Sequence, residues 1–425
     1  MLEKIIELLK KADTDGWTVT DTVTEGWEFY FIRHDLDQNR VRNTEHIIVN
    51  VYKKFQDGKY LGNASGEIAP TASEKEAEKI INDLISRAVL VKNPVYTLNP
   101  KAVSECGGEI PDVKMIAKDF IEAMQEVRET ETEDINSYEI FVNSCRRRFL
   151  SSEGTDVTFV YPSSMIEAVV NARKDGHEIE LYRMYRSGTC AKEDLVNDLQ
   201  ATLKAGCDRL EAKNTPSLNT MPVVFSSDAA LKIYEYFIDR MNAGYKYQGI
   251  SNWEIGKPVA EDMQGDRVTV DIVRQLANSS MNFDFDGEGA PVRECTLIRD
   301  GIAQNFYGNR QFSQYLGLKE SSNAYNFVVT GGSKTEEELR SGSYLELVEF
   351  SDFQVSPFNG DIAGEIRLGY YHDGGKVTVI SGGSVSGSMR DYAKNMHMSL
   401  QQRQYNNFVI PAFTRLENVR ITGAE

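Results

Sequence analysis

The 425-residue sequence predicts an α+β protein: N-terminal and middle α+β units followed by a C-terminal domain dominated by antiparallel β-sheet. Three observations lead there. Helical and alternating segments come in blocks, without the strand–helix–strand rhythm of a parallel sheet. Two stretches bearing Pro and Asn, residues 90–100 and 212–222, read as linkers. Beyond the second, glycine-rich turns and short strands prevail. The predicted division is therefore 1–100, 101–212 and 213–425.

In the first unit, Leu2, Ile5, Ile6 and Leu9 fall at helical spacing, and the helix stops near Asp15-Gly16. Strand alternation follows at 27–34 and 46–55, and Asp57-Gly58 turns the second strand into a third. A capping box at Thr71-Ala72-Ser73-Glu74 opens a helix whose apolar face is Ala77, Ile80, Ile81, Leu84 and Ala88. The middle unit repeats this layout. A helix over 113–128 carries Val113, Ile116, Phe120, Ala123 and Val127. Strands follow at 137–145 and 147–162, then a hairpin at Asp175-Gly176. A helix over 191–210 presents Leu195, Leu199 and Leu203.

In the third unit, a strand at 222–225 leads into a helix at 226–241. The acidic turn Asp286-Gly287-Glu288-Gly289 needs backbone freedom that Cβ-bearing residues resist, and Pro291 then blocks ladder pairing. Asp300-Gly301 lies between two alternating runs and predicts a hairpin of strands 293–298 and 302–307. Thr335 and Glu338 form a capping box after a strand at 325–329, and a helix is expected over 389–400.

The formal net charge is −17, from 64 acidic and 47 basic residues, which argues against direct nucleic-acid binding. Arg146-Arg147-Arg148 is the only compact basic run and reads as a solvated strand end. The five cysteines (Cys106, Cys145, Cys190, Cys207, Cys295) are scattered, with no C-x-x-C pair. That pattern excludes a disulfide framework and points to a reduced, cytoplasmic protein. The N-terminal helix has no cleavable apolar core, and no apolar run reaches ~20 residues, so neither a signal peptide nor a membrane span is expected.

Candidate chemistry is sparse. His34, His46, His177, His372 and His397 have no metal-ligand spacing among them. Glu235 and Asp239 lie at i and i+4 and share one side of a helix, an arrangement that reads as a solvated face. The segment Thr330-Gly331-Gly332-Ser333-Lys334-Thr335 lacks the glycines of a P-loop, with Ser333 and Val328 in their places. The run at 381–389 has Val385 where a nucleophile elbow needs serine. No catalytic residue, metal ligand or cofactor is therefore expected.

The order from Phe283 to Leu318 (acidic glycine turn, strand, Asp-Gly, strand, polar segment ending at Gly317) resembles the C-terminal domain of the TldD/PmbA family, the so-called modulators of DNA gyrase. The closing runs 377–400 and 407–423 are also similar to that family. The resemblance implies a two-subunit metallopeptidase that degrades unfolded peptides or trims leader peptides. One subunit type carries an H-E-x-x-x-H zinc helix after the first strand of this domain and a cysteine near its C-terminus. Here the helix at 226–241 has no histidine, and the last hundred residues have no cysteine. The resemblance therefore implies the PmbA/TldE-type partner subunit. It would pair with an H-E-x-x-x-H subunit and bind unfolded peptide as an added strand, with Asp286, Gly287, Glu288, Gly289, Arg310 and Asn323 as candidate walls. The alternative is a stand-alone homodimeric peptide-binding protein without proteolysis. A hydrolase with an unrecognised site is a third reading.

Overall fold

A computed structural model describes residues 1–104, 110–318 and 321–424; Cys106 lies outside them. The described residues form a mixed α+β structure with sheets of seven, six and eight strands, mostly antiparallel.

The seven-stranded sheet is built from two long hairpins, Gly16–Ile32 with Asp35–Phe55 and Glu133–Ser151 with Asp156–Lys174. Gly16–Ile32 and Glu133–Ser151 pair antiparallel from Thr18↔Ser151 to Ile32↔Ser137. This one ladder crosses the predicted division at residue 100.

These strands are longer than the sequence pattern indicated. Residues 35–46 are almost all exposed and polar, so no apolar alternation announces them; the ladder with Gly16–Ile32 holds them extended. The expected break at Arg146 is absent, because the strand runs on to Ser151 and the turn falls at 152–155, where Gly154 has φ +88°.

Side chains alternate across a strand, so Trp17, Val19, Trp27, Phe29 and Phe31 share one face. All four long helices cover that face. Leu2–Lys11 and Glu74–Ala88 bury Ile5, Leu9, Ile81 and Leu84 against Val19, Ile47 and Val49. Val113–Glu126 and Lys192–Leu210 bury Phe120, Leu199 and Leu203 against Ile140, Val142 and Ile166. The capping box of Glu74–Ala88 sits two residues later than expected. Ser73 Oγ accepts from the Glu76 N–H (3.3 Å), and the Glu76 carboxylate accepts from the Ser73 N–H (2.8 Å).

The C-terminal sheets enclose a single core around helix Leu231–Asp239, with Phe225, Ile233, Phe237, Val270, Leu297, Leu345 and Ile366 all buried in it. The predicted hairpin is present: Cys295–Arg299 and Ile302–Ala303 pair antiparallel across Asp300 (φ +47°) and Gly301 (φ +74°). Thr335 and Glu338 form the predicted reciprocal cap. The helix expected over 389–400 is a correction. It reduces to Met389–Tyr392, a 3₁₀ turn Ala393–Asn395 and a strand Met396–Met398. Met396–Met398 pairs with Thr414–Thr422, and the Met398 N–H donates to Asp266 (2.7 Å), so tertiary pairing overrides local helix preference.

Candidate functional site

Strand Asn219–Phe225 leads through Ser226 and Ser227 into the 3₁₀ turn Asp228–Ala230 and helix Leu231–Asp239. The Ser227 hydroxyl donates to the Val348 carbonyl (2.7 Å) and accepts from the Ala229 N–H, which fixes the helix entry. The helix is filled with core aromatics. Tyr234 is fully buried and its hydroxyl meets Thr414 Oγ1 at 2.6 Å, while Tyr236 and Phe237 pack against Trp253. Glu235 is paired with Lys232 (2.6 Å). Asp239 corrects the solvated-face expectation: it is partly buried, and burial, then the neighbouring Glu235 charge, pushes its carboxyl up to about 6.

The residues present do not fit a zinc site. Among the described residues no group of three or more His, Cys, Asp or Glu side chains could hold a metal ion. His372 stacks on Tyr344 (4.3 Å between rings), and Cys145, Cys190, Cys207 and Cys295 are free thiols.

The predicted turn residues come together, at a junction between the C-terminal domain and the sheet face opposite the four helices. Asp286 is 1 % exposed. Its carboxylate accepts from the Glu288 and Ala290 N–H groups (2.9 and 3.0 Å) and from the Asn323 N–H (2.9 Å). The Glu288 carboxylate accepts from the Arg310 N–H (2.8 Å), and Asn99 donates to the Glu288 carbonyl (3.1 Å). The Arg310 guanidinium reaches Thr97, which also binds Gln314. Residues 94–99 are therefore docked chain, with Tyr96 buried between Tyr52 and Tyr315. Gly287 is exposed. Gly289 is buried at φ +74°, where a Cβ would lie 2.4 Å from the Phe149 ring. Burial pushes the Glu288 carboxyl up to about 7, with the Asp286 charge adding to it and the Arg310 N–H opposing it.

Of the basic run, Arg147 is bound into this junction, contrary to a solvated strand end, while Arg146 is exposed and Arg148 lies on the helix-covered face near Glu3. Arg147 lies over the rings of Phe283, Tyr161 and Phe159 (5.2, 5.6 and 5.8 Å) and donates to the Tyr161 hydroxyl. Arg148 is bidentate to Asp156 (2.9 and 2.8 Å).

A second region has no counterpart among the sequence-predicted residues. Among the described residues, strand His177–Ser187 pairs only with Asp156–Lys174 and ends the sheet. Two cavities of about 470 and 620 Å³ run beside it and share Arg183, Met184, Asp228, Leu231, Val348 and Glu349. Together they form a trench between the edge strand and the start of helix Leu231–Asp239. Arg183 crosses it to pair with Glu349, which is 8 % exposed and also faces Arg209 (3.7 Å). At the end lined by helix Lys192–Leu210, Arg403 pairs with Asp198, and the Tyr405 hydroxyl is buried without a partner among the described residues. Asp194 and Asp228 line that end, are exposed, and form no ion pair among the described residues. These groups come from five separate chain segments. The one local signal was the alternation in residues 177–187.

Residues 218–423 match the family described as the PmbA/TldA metallopeptidase C-terminal domain, a span that includes the histidine-free helix. Through this domain the chain is similar to the TldD/PmbA family. Metalloprotease PmbA of Escherichia coli O157:H7 is 24 % identical over 215 residues, covering 47 % of each chain. An uncharacterised Methanocaldococcus jannaschii protein, MJ0231, is 22 % identical over 148 residues, 32 % of this chain and 35 % of its own. The matched regions thus span half or less of these relatives. The crystal structure of TldE from Thermococcus kodakarensis superposes with a TM-score of 0.75 at 15 % identity, covering 99 % of this chain and 100 % of that one, which establishes a shared fold. No helix among the described residues is long and apolar enough to cross a membrane.

Proposed function

We propose that this chain is the non-metal-binding partner subunit of a cytoplasmic two-subunit metallopeptidase acting on unfolded or leader peptides. One observation carries the reading. In a domain of a metallopeptidase family, the helix that follows the first strand has no histidine, and its inward positions hold Ile233, Tyr234 and Phe237. Without a ligand set there is no Lewis acid to polarise a scissile carbonyl and no bound water of lowered pKa. The chain's own contribution is then to hold substrate. An unpaired strand edge can bind extended peptide through main-chain hydrogen bonds while tolerating varied sequence. The partner would be an H-E-x-x-x-H subunit of the same family. The half-buried Arg147 over its rings and the paired Arg148 take up most of this basic run, which argues against a nucleic-acid site there.

The test mixes casein fragments with this chain, with an H-E-x-x-x-H paralogue, and with both. The expected result is no cleavage by this chain alone and faster cleavage by the pair. Elemental analysis after mild purification should find no stoichiometric zinc. Chelator-sensitive cleavage by this chain alone overturns the proposal. Equal cleavage by the paralogue with or without it favours the stand-alone homodimeric binding protein instead.

A further inference from the structure

We infer that the trench beside His177–Ser187 is the peptide-binding site of this chain, and that it selects extended peptides carrying a basic residue. The inference rests on the reading above that the chain binds peptide, and adds where and which.

The edge strand is the first part of the argument. On its outer side the strand has no ladder partner among the described residues, and its Tyr182 carbonyl accepts only the neighbouring Arg183 guanidinium (3.0 Å). Unpaired strand edges invite a further strand and are usually blunted or covered. This one is neither short, at 11 residues, nor covered. Tyr182 and Met184 are 50 % and 42 % exposed on it. The trench follows the strand from Glu180 to Ser187, with the C-terminal domain as its opposite wall. A peptide added there would run between the two walls, past the Arg183–Glu349 pair.

Charge is the second part. The acidic and basic groups along the trench are mostly matched: Arg183 and Arg209 with Glu349, Arg403 with Asp198, and Lys232 with Glu235. The exceptions gather at the end lined by helix Lys192–Leu210. Asp194, on the first turn of Lys192–Leu210, and Asp228, on the 3₁₀ turn, both line the cavity without an ion pair, beside Arg186 and the ion-paired Arg183 and Arg403. The nearby Tyr405 hydroxyl, buried and unpartnered, offers a further oxygen acceptor. Two free carboxylates and a hydroxyl at the end of an open apolar trench match a Lys or Arg side chain. The chain's net charge of −17 favours approach of the same peptides over long range.

The test is fluorescence anisotropy with the full chain, without any partner subunit. The probes are labelled, unstructured ten-residue peptides with Lys, Gln or Glu at one central position. The Lys peptide should bind roughly fivefold more tightly than the Gln peptide, as expected of an exposed ion pair, with the Glu peptide weaker still. In the double variant Asp194→Asn, Asp228→Asn the Lys preference should vanish while the Gln peptide binds as before. Both residues are exposed, so the variant should fold, and its melting temperature checks this. N-methylation of alternate peptide amides should abolish binding, as loss of main-chain pairing requires. Equal binding of all three peptides overturns the charge selection. Binding that survives N-methylation overturns the added strand. Peptide binding as inferred, without stimulation of a paralogue, leaves this site standing and overturns only the partner-subunit reading. Stimulation without binding does the reverse.

Discussion

The Asp286–Gly289 junction and the trench beside His177–Ser187 lie in one molecule and differ in nearly every physical respect. The junction is made of residues with strong local signals, an acid, two glycines and a nearby proline, and the structure buries them. Its polar atoms are satisfied at short range: three N–H groups on Asp286 and one on Glu288. The trench is made of residues with no shared local signal, and it is open, with two carboxylates and a buried hydroxyl left unpaired. A turn that demands particular backbone angles marks where the chain must pack. A place that must receive another molecule keeps groups unsatisfied, and those groups converge only in three dimensions.

The contrast can be broken most directly at Gly289. A Cβ at φ +74° and 2.4 Å from Phe149 adds both backbone strain and a clash. Gly289→Ala should destabilise the protein by about 3 kcal/mol, read as a lowered midpoint in urea. A neutral result would mean that the junction is looser than its packing implies.

Glu288 tests the same junction through pH. Its folded value of about 7 lies above the ordinary 4.5. The stability linked to this group is therefore fully present below pH 4.5 and is lost as pH rises through 7, by at most about 3 kcal/mol. In Glu288→Gln that component should disappear, leaving a flatter stability profile between pH 5 and 8 than in the parent. Superimposable profiles would show that Glu288 does not titrate in this range.

Arg147→Lys should cost less, about 1–2 kcal/mol. An ammonium keeps the charge but loses the planar contact with three rings and the fixed bond to Tyr161. At the trench, Asp228→Asn should change stability by less than about 0.5 kcal/mol, because an exposed carboxylate with no ion pair holds little of the fold together. A larger loss would place Asp228 in the architecture and weaken its assignment to binding.

How much of this was legible follows from the same contrast. The Asp300-Gly301 hairpin, the four long helices and the Thr335–Glu338 cap were readable because each depends on residues a few positions apart. The exposed strand from Asp35 was not, since a polar ribbon has no alternation to detect. The strand Met396–Met398 was not, since its pairing partner lies elsewhere in the chain. Among candidate site residues, Asp286, Glu288, Arg310 and Asn323 lie together at a packed junction. The proposed trench residues Asp194, Asp228 and Tyr405 had no shared signal, because nothing in the sequence ties the start of one helix to the start of another and to a distant hairpin.

The ladder between Gly16–Ile32 and Glu133–Ser151 also has a consequence for synthesis. The first hairpin leaves the ribosome with one edge awaiting a strand that is translated ~120 residues later, on the order of ten seconds at ordinary elongation rates. For that interval Phe29 and Phe31 lie on a strand whose neighbour has not been made. Rare codons placed between residues 32 and 133 would lengthen that wait and, with it, the time for which this strand edge is open to association.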